Sequence, residues 1–314
     1  MLRSLYSGIS GMKNFQTKLD VLGNNIANVN TYGYKKSRTT FSDLFSQQIS
    51  GASGATANSA GTNAKEVGLG AQISSIDTIH TTGSTQITSR SLDLALNGDG
   101  FFIVGTINNN ANINRNTNEI TSPGIEEAVD LNFTRAGNMY LDDEGYIVTA
   151  DGMYLIGEAA EKTTAGNTVT FTNNLSGNPG LIQIPLSAQS FSIAPDGKVN
   201  FVNENGELNV AGQIRLVNFA NEGGLEKLGG NLYRESANSG SVDKDGNGFV
   251  ELADLPVAGT DGTANIISGA LEMSNVDLAE EFTEMIVAQR GFQSNTKIIT
   301  TSDEILQELM GLKR

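Results

Sequence analysis

Two amphipathic stretches lie at the extreme ends of this chain, and they limit its folds more than any other feature. At one end, Leu2, Leu5, Ile9, Met12, Phe15, Leu19, Leu22 and Ile26 fall at spacings of three and four, the period of one apolar helical stripe. A helix there of about 28 residues would run roughly 40 Å. Gly8, Gly11 and Gly23 interrupt it, each costing about 1 kcal/mol relative to alanine, so it needs a partner to pack on. At the other end, Leu278, Phe282, Met285, Phe292, Ile299, Leu306 and Met310 alternate at four and three, a register that also takes in Gln289, Thr296 and Asp303. That predicts a heptad-like helix of roughly 30 residues or more, its seam broken by polar side chains. Asn275 or Asp277 is the expected N-cap, Glu280, Glu281 and Glu284 favour the positive end of the helix dipole, and Lys313 and Arg314 close the segment.

Charge divides along the same lines. Residues 1–49 carry six basic and two acidic side chains, residues 270–314 four and eight, and the middle ten and 25, within a formal total of −15. Ends of opposite sign point to the ends lying close together, within one molecule or between neighbours, while the acidic body keeps the chain soluble. An acidic chain is a poor partner for nucleic acid, which is neutralised by basic surfaces. Cysteine and tryptophan are absent and His80 is the one histidine, which excludes thiolate sites and His-cluster zinc sites. No apolar run reaches the 18 residues or so of a membrane-spanning helix. These absences make an enzyme a poor reading.

Between the ends the punctuation becomes Gly-Asp-Gly, Asp-Gly and Asn-Gly, the turns of antiparallel sheet. Three hairpins are predicted: 92–96 with 101–104 across Asn97-Gly98-Asp99-Gly100, 138–141 with 146–149, and 191–194 with 198–202, followed by a strand over 213–219. Ser50 to Asn63, almost all Gly, Ala, Ser, Thr and Asn, reads as a linker. Thr106–Ala128 and Ala160–Pro179 read as surface insertions, near 106–130 and 158–180. The expected fold is α+β, with N- and C-terminal helices forming a coiled-coil-like inner domain around which a mainly antiparallel β body is built. The expected divisions are 1–70, 71–269 and 270–314.

Several motifs are ordered along the chain. Leu5-Tyr6-Ser7-Gly8-Ile9-Ser10-Gly11-Met12 and Leu22-Gly23-Asn24-Asn25-Ile26-Ala27-Asn28-Val29-Asn30-Thr31-Tyr32-Gly33-Tyr34-Lys35 stand near one end. Leu271-Glu272-Met273-Ser274-Asn275-Val276-Asp277-Leu278 and Met285-Ile286-Val287-Ala288-Gln289-Arg290-Gly291-Phe292 stand near the other. Between them are Leu94-Ala95-Leu96-Asn97-Gly98-Asp99-Gly100-Phe101-Phe102 and Thr134-Arg135-Ala136-Gly137-Asn138. Together they resemble the flagellar rod and hook proteins, the hook protein foremost and a distal rod protein next. The resemblance implies a structural subunit rather than an enzyme, whose terminal helices line a narrow channel and whose copies stack into a tube joining motor to filament. It further implies a homopolymer at the bacterial flagellum that meets rod protein, hook cap, hook–filament junction protein and export apparatus. Export would proceed without a cleaved signal peptide and without membrane insertion.

One stretch fits a calcium-loop template: Asp243, Asp245, Asn247, Phe249 (through its carbonyl), Glu251 and Asp254 stand at positions one, three, five, seven, nine and twelve, with Gly248 at six. A hard cation wants six to eight oxygens, and the glycine permits the sharp turn. Position twelve is Asp rather than the longer Glu, and a solvated acidic turn is the competing reading. Apart from calcium, no cofactor is expected. His80 is read as structural, and the pairs Asp142/Asp143 and Glu280/Glu281 as solvated charge. A calcium-dependent surface adhesin and a carboxylate-based hydrolase are the alternatives from other classes; neither needs amphipathic ends.

Overall fold

The computed structural model describes residues 2–55, 60–108, 113–114, 117–120, 125–165, 168–244 and 246–311. Three α-helices occur among them: α1 (Leu2–Ala27), the one-turn α2 (Ile125–Ala128) and α3 (Leu278–Gly311). The chain divides into two compact units. One comprises residues 1–29, 36–79 and 276–314, the other residues 30–35 and 80–275. These breaks differ from the expected ones because the strand over 71–78 pairs back onto 37–43 and so belongs with the helices.

In the helical unit, α1 lies against α3 and against a two-stranded ribbon, β1 (Ser37–Asp43) paired with β4 (Ala71–Thr78). Asp277 is the N-cap of α3, its Oδ1 accepting from the Ala279 N–H at 2.8 Å. The expected linker, 50–63, lies between the two strands of a hairpin, its residues 56–59 outside the described ones. β2 (Ser46–Ser50) pairs with β3 (Lys65–Gly68), extended by a bridge between Ser53 and Thr62. Its side chains are exposed on both faces, so backbone bonding rather than burial forms it, which is why a reading of apolar content misses it.

The second unit is antiparallel sheet. Its strands run in the order 190–193, 198–202, 208–214, 154–165, 101–107, 129–134, 232–234, 226–229. The hairpins over 140–148 and 190–202 form as expected, with Tyr140 opposite Val148 and Phe191 opposite Phe201. The one across residues 97–100 does not. The strand Leu94–Asn97 pairs with Asn265–Ser268, while Phe101–Ile107 pairs with Val129–Thr134. Gly98 and Gly100 take φ of +129° and +128°, open only to glycine, and carry the chain from one sheet to another instead of closing a turn.

Phe101–Ile107 has core on both faces. Phe101 and Ile103 join one apolar cluster with Phe133, Phe219 and Tyr233, whereas Phe102 and Val104 join another with Leu94, Leu155, Ile214 and Ile266. Alternation along a strand sends neighbours to opposite faces, so a run of Phe-Phe-Ile-Val marks a strand covered twice. The expected strand over 213–219 breaks at Arg215, which bridges Val257. The expected insertion at 160–179 is part of a long hairpin, Tyr154–Ala165 with Thr168–Leu181, whose register shifts between Glu158 and Ala160 and between Ala160 and Lys162.

On that hairpin Lys162 is buried, its Nζ donating to Gln183 Oε1 at 2.8 Å and lying 5.0 Å from the Phe171 ring centre. Burial lowers its pKa from 10.5 to about 8. The unfolded chain therefore holds the proton more tightly between those values, and stability should rise by about 3 kcal/mol as pH goes from 8 to 10.5. Urea unfolding of Lys162→Met is expected to lose that alkaline rise.

Candidate functional site

The two ends of the chain meet in the helical unit, and they run antiparallel. A Cβ on Gly8 would lie 3.4 Å from Ile299 Cγ1, one on Gly11 2.8 Å from Asn295 Nδ2, and one on Gly291 2.6 Å from the Phe15 ring. Lys18 pairs with Glu284, and Asn25 Nδ2 donates to Glu281 Oε2 at 3.0 Å. Numbers rise on α1 as they fall on α3. The opposite charges of the two ends thus meet side chain to side chain, joined by Lys36 Nζ to Glu280 Oε2 at 2.8 Å. A cleft of about 280 Å³ lies here, with Lys18, Lys36 and Arg38 facing Glu280, Glu281 and Glu284 over Val21, Leu22 and Ile79.

The residues of α3 that are buried or half-buried include Glu281, Met285, Ala288, Phe292, Asn295, Ile299, Ser302 and Leu306, a strict alternation of four and three. One arm of the expected seam, through Met285, Phe292, Ile299 and Leu306, is therefore at the contact. The other is displaced by one residue: small and polar side chains occupy it, while Phe282 and Met310 are 51 % and 76 % exposed and Leu278 is exposed too. Close approach of the helix axes, permitted by Gly8, Gly11 and Gly291, favours small residues over large apolar ones. On α1, Leu22 is buried, Leu5, Met12, Phe15, Leu19 and Ile26 are half-buried, and Ile9 is exposed. Much of the apolar surface of α3, and Ile9 of α1, is left exposed.

A second feature, in the β unit, went unread in the sequence. Lys35, Arg135 and Glu272 are fully buried together. Glu272 Oε1 accepts from Lys35 Nζ at 2.7 Å and from the Gly83 N–H at 3.0 Å, and its Oε2 lies 3.5 Å from Arg135 Nη1. Lys35 Nζ also donates to the Thr81 carbonyl, and Arg135 Nη1 to that of Gly98. Each charge comes from a different motif, 237 residues apart at the extremes. Gly33, at φ +68°, lets the chain pass so close to Arg135 and Ala136 that a Cβ would sit 2.7 Å from their backbone. The available signal was three charged residues inside otherwise apolar or turn-forming motifs.

His80 sits beside this cluster, buried, its ring 5.7 Å from Phe101 and 5.4 Å from Tyr233. Burial, then the neighbouring charges of Lys35, Arg135 and Lys227, lower its pKa from 6.5 to about 4. The folded form keeps it neutral where the unfolded chain would protonate it, so stability is complete above pH 6.5 and lost as pH falls toward 4. His80→Phe should remove about 3 kcal/mol of that acid sensitivity, read as a flatter melting-temperature profile between pH 4 and 6.5.

The calcium-loop residues are placed as follows, Asp245 lying outside the described residues. The Asp243 carboxylate accepts from the Gly246 and Gly248 N–H groups at 2.7 Å each, and Asn247 Oδ1 from that of Phe249. Glu251 and buried Asp254 cap the single 3₁₀ turn Leu252–Asp254, with Asp254 also accepting from the Lys244 N–H. Among the described residues, no three acidic or histidine side chains converge where they could hold a metal ion.

Three family models match the chain: "Flagella basal body rod protein" over residues 5–35, "Flagellar hook protein FlgE/F/G D1 domain" over 125–201, and "Flagellar basal body rod FlgEFG protein C-terminal" over 267–312. The flagellar basal-body rod protein FlgG of Bacillus subtilis is 54 % identical over 314 residues, all of both chains. The chain belongs to the flagellar rod and hook family. The flagellar hook protein FlgE of Borreliella burgdorferi is 32 % identical across all of both chains, in an alignment drawn out to 473 residues. The FlgG of Caulobacter vibrioides is 34 % identical over 99 % of this chain and all of that one.

Rod and hook proteins are structural, not enzymes. The two terminal family matches cover most of α1 and α3, and they extend to the segments that deliver Lys35 and Glu272. No described helix is long and apolar enough to cross a membrane.

Proposed function

We propose that the chain is a self-assembling structural subunit of the flagellar axis, and that it is the distal rod protein rather than the hook protein. The observation that carries self-assembly is the helix pair itself. Two ends of one chain are joined by a narrow seam, and Tyr6, Phe282, Ile286, Val287, Ile298 and Leu309 are left exposed on it. Apolar side chains in such number on a charged chain call for burial between copies. In this reading the pairs pack side by side as a coiled-coil-like layer around a channel.

The order of the two sequence-based readings, hook before rod, is reversed here. What supports the rod is 54 % identity with a rod relative in an alignment of 314 positions that covers all of both chains, against 32 % identity with a hook relative in an alignment drawn out to 473 positions. Polymerisation, export through the flagellar apparatus, and contact with neighbouring axial proteins all belong to this proposal. Electron microscopy of concentrated protein is expected to show tubes or stacks, and removal of residues 2–27 or 278–311 to abolish them. Particles that polymerise unchanged after either deletion would count against assembly. Immunogold labelling of isolated basal bodies should mark the rod below the hook; label confined to the curved hook would restore the other reading.

A further inference from the structure

Apart from the Phe15 ring over Gly291, the α1–α3 seam says little about which residue should face which. Gly8 and Gly11 offer no side chain, Ala288 and Ser302 are small, and the seam repeats every seven residues. The Lys18–Glu284 pair is partly exposed, 21 % and 47 % at its side chains, and exposed pairs discriminate weakly. One contact is different. Asn25 is 1 % exposed and Glu281 4 %.

Asn25 Nδ2 donates to Glu281 Oε2 at 3.0 Å and to the Ser37 carbonyl at 2.9 Å, while its Oδ1 accepts from the Ser37 N–H at 3.0 Å. Lys36 Nζ stands 3.8 Å from Glu281 Oε1. β1 thus holds the Asn25 amide in one orientation, and α3 must bring a carboxylate to it. A slip of one heptad in one direction sets Ala288 against Asn25. The opposite slip carries Asn25 past the start of α3.

We propose that Asn25 and Glu281 select the register of the terminal helix pair. A buried polar contact in a heptad seam disfavours alternative registers, because a slip takes the Glu281 carboxylate away from the Asn25 amide that β1 holds in place. Its consequence for polymerisation rests on the function proposed above; the register itself does not.

The chain has no cysteine, so disulfide trapping can be done on the full-length protein under polymerising conditions. Phe15→Cys with Gly291→Cys reports the observed register. Phe15→Cys with Glu284→Cys or with Ile298→Cys reports a slip of one heptad. In the otherwise natural chain the 15/291 bridge is expected to form, and the slipped bridges not to form. Adding Asn25→Leu and Glu281→Leu should raise the slipped bridges at least tenfold with helix content by circular dichroism unchanged. Glu281→Gln, which keeps an acceptor for Asn25, should trap as the natural chain does. The proposal is overturned by a single register in the Leu/Leu chain, by loss of its helix, or by failure of 15/291 to close at all. Intramolecular bridges keep the protein monomeric on denaturing gels. Tube formation is scored separately, so chains trapped in one register but unable to polymerise would refute the proposed function and leave the register intact.

Discussion

Replacing Glu272 by alanine is expected to destabilise the β unit by about 3–5 kcal/mol, the cost of leaving buried charge uncompensated. Lys35 and Arg135 have no access to solvent, and Lys35 is already held below its ordinary pKa by burial, which the Glu272 carboxylate opposes. Without it two buried cations lose their hydrogen-bonded carboxylate and keep the Thr81 and Gly98 carbonyls, beside the unprotonated ring of His80. The Gly83 N–H loses its acceptor as well. For a unit of about this size the melting temperature should fall by about 6–20 °C, measured by thermal unfolding at pH 7. Replacing Lys35, Arg135 and Glu272 together by methionine should recover much of the loss, since apolar side chains of similar volume avoid the charge problem. A triple variant no better than Glu272→Ala would assign the effect to packing instead.

Gly291→Leu is expected to raise the concentration needed for polymerisation by about tenfold or more, a change of about 1.4 kcal/mol or greater. Helix propensity alone predicts the opposite sign, because removing a mid-helix glycine stabilises by about 1 kcal/mol. Packing decides the outcome. The space over Gly291 is filled by the Phe15 ring, which itself packs on Phe41 with centroids 6.1 Å apart. A leucine there must push the ring out or separate the helices, and overpacking of this kind costs about 1–3 kcal/mol or more. Gly23→Ala is the control on the same pair: a Cβ at Gly23 meets nothing within 4 Å, so propensity acts alone and the helix should gain stability. Turbidity and electron microscopy across a concentration series measure both. If Gly291→Leu polymerises more readily than the natural chain, the helices are not packed this way in the polymer.

The long elements were legible because each rests on a local period. Leu5 to Ile26 and Met285 to Leu306 carry the helical repeat in their spacing, and Asp277 carries its cap in its side chain. The turn at Asp142–Gly145 and the one at Pro195–Gly197 form within a few residues of sequence. Local chemistry of this sort is written in order along the chain. The hairpin at 46–68 was not legible, since its polar strands are held by backbone bonds to which side-chain hydropathy is blind. Nor was the partner of Leu94–Asn97, which lies at 265–268 and replaces the neighbouring strand because both edges of Phe101–Ile107 are already paired, one with Val129–Thr134 and the other with Tyr154–Leu155 and Leu216–Val217.

The sequence by itself determined that both ends are amphipathic helices of opposite charge and that the body between them is antiparallel sheet. Periodicity and turn chemistry depend on residues near one another in the chain. Only the tertiary structure decided which face of each helix meets the other and that Asn25 finds Glu281. It also decided that Lys35, Arg135 and Glu272 share one buried site. The Asn25–Glu281 contact alone joins residues 256 positions apart, and the energies of such contacts come from close approach and lost solvent, neither of which is encoded in any local pattern.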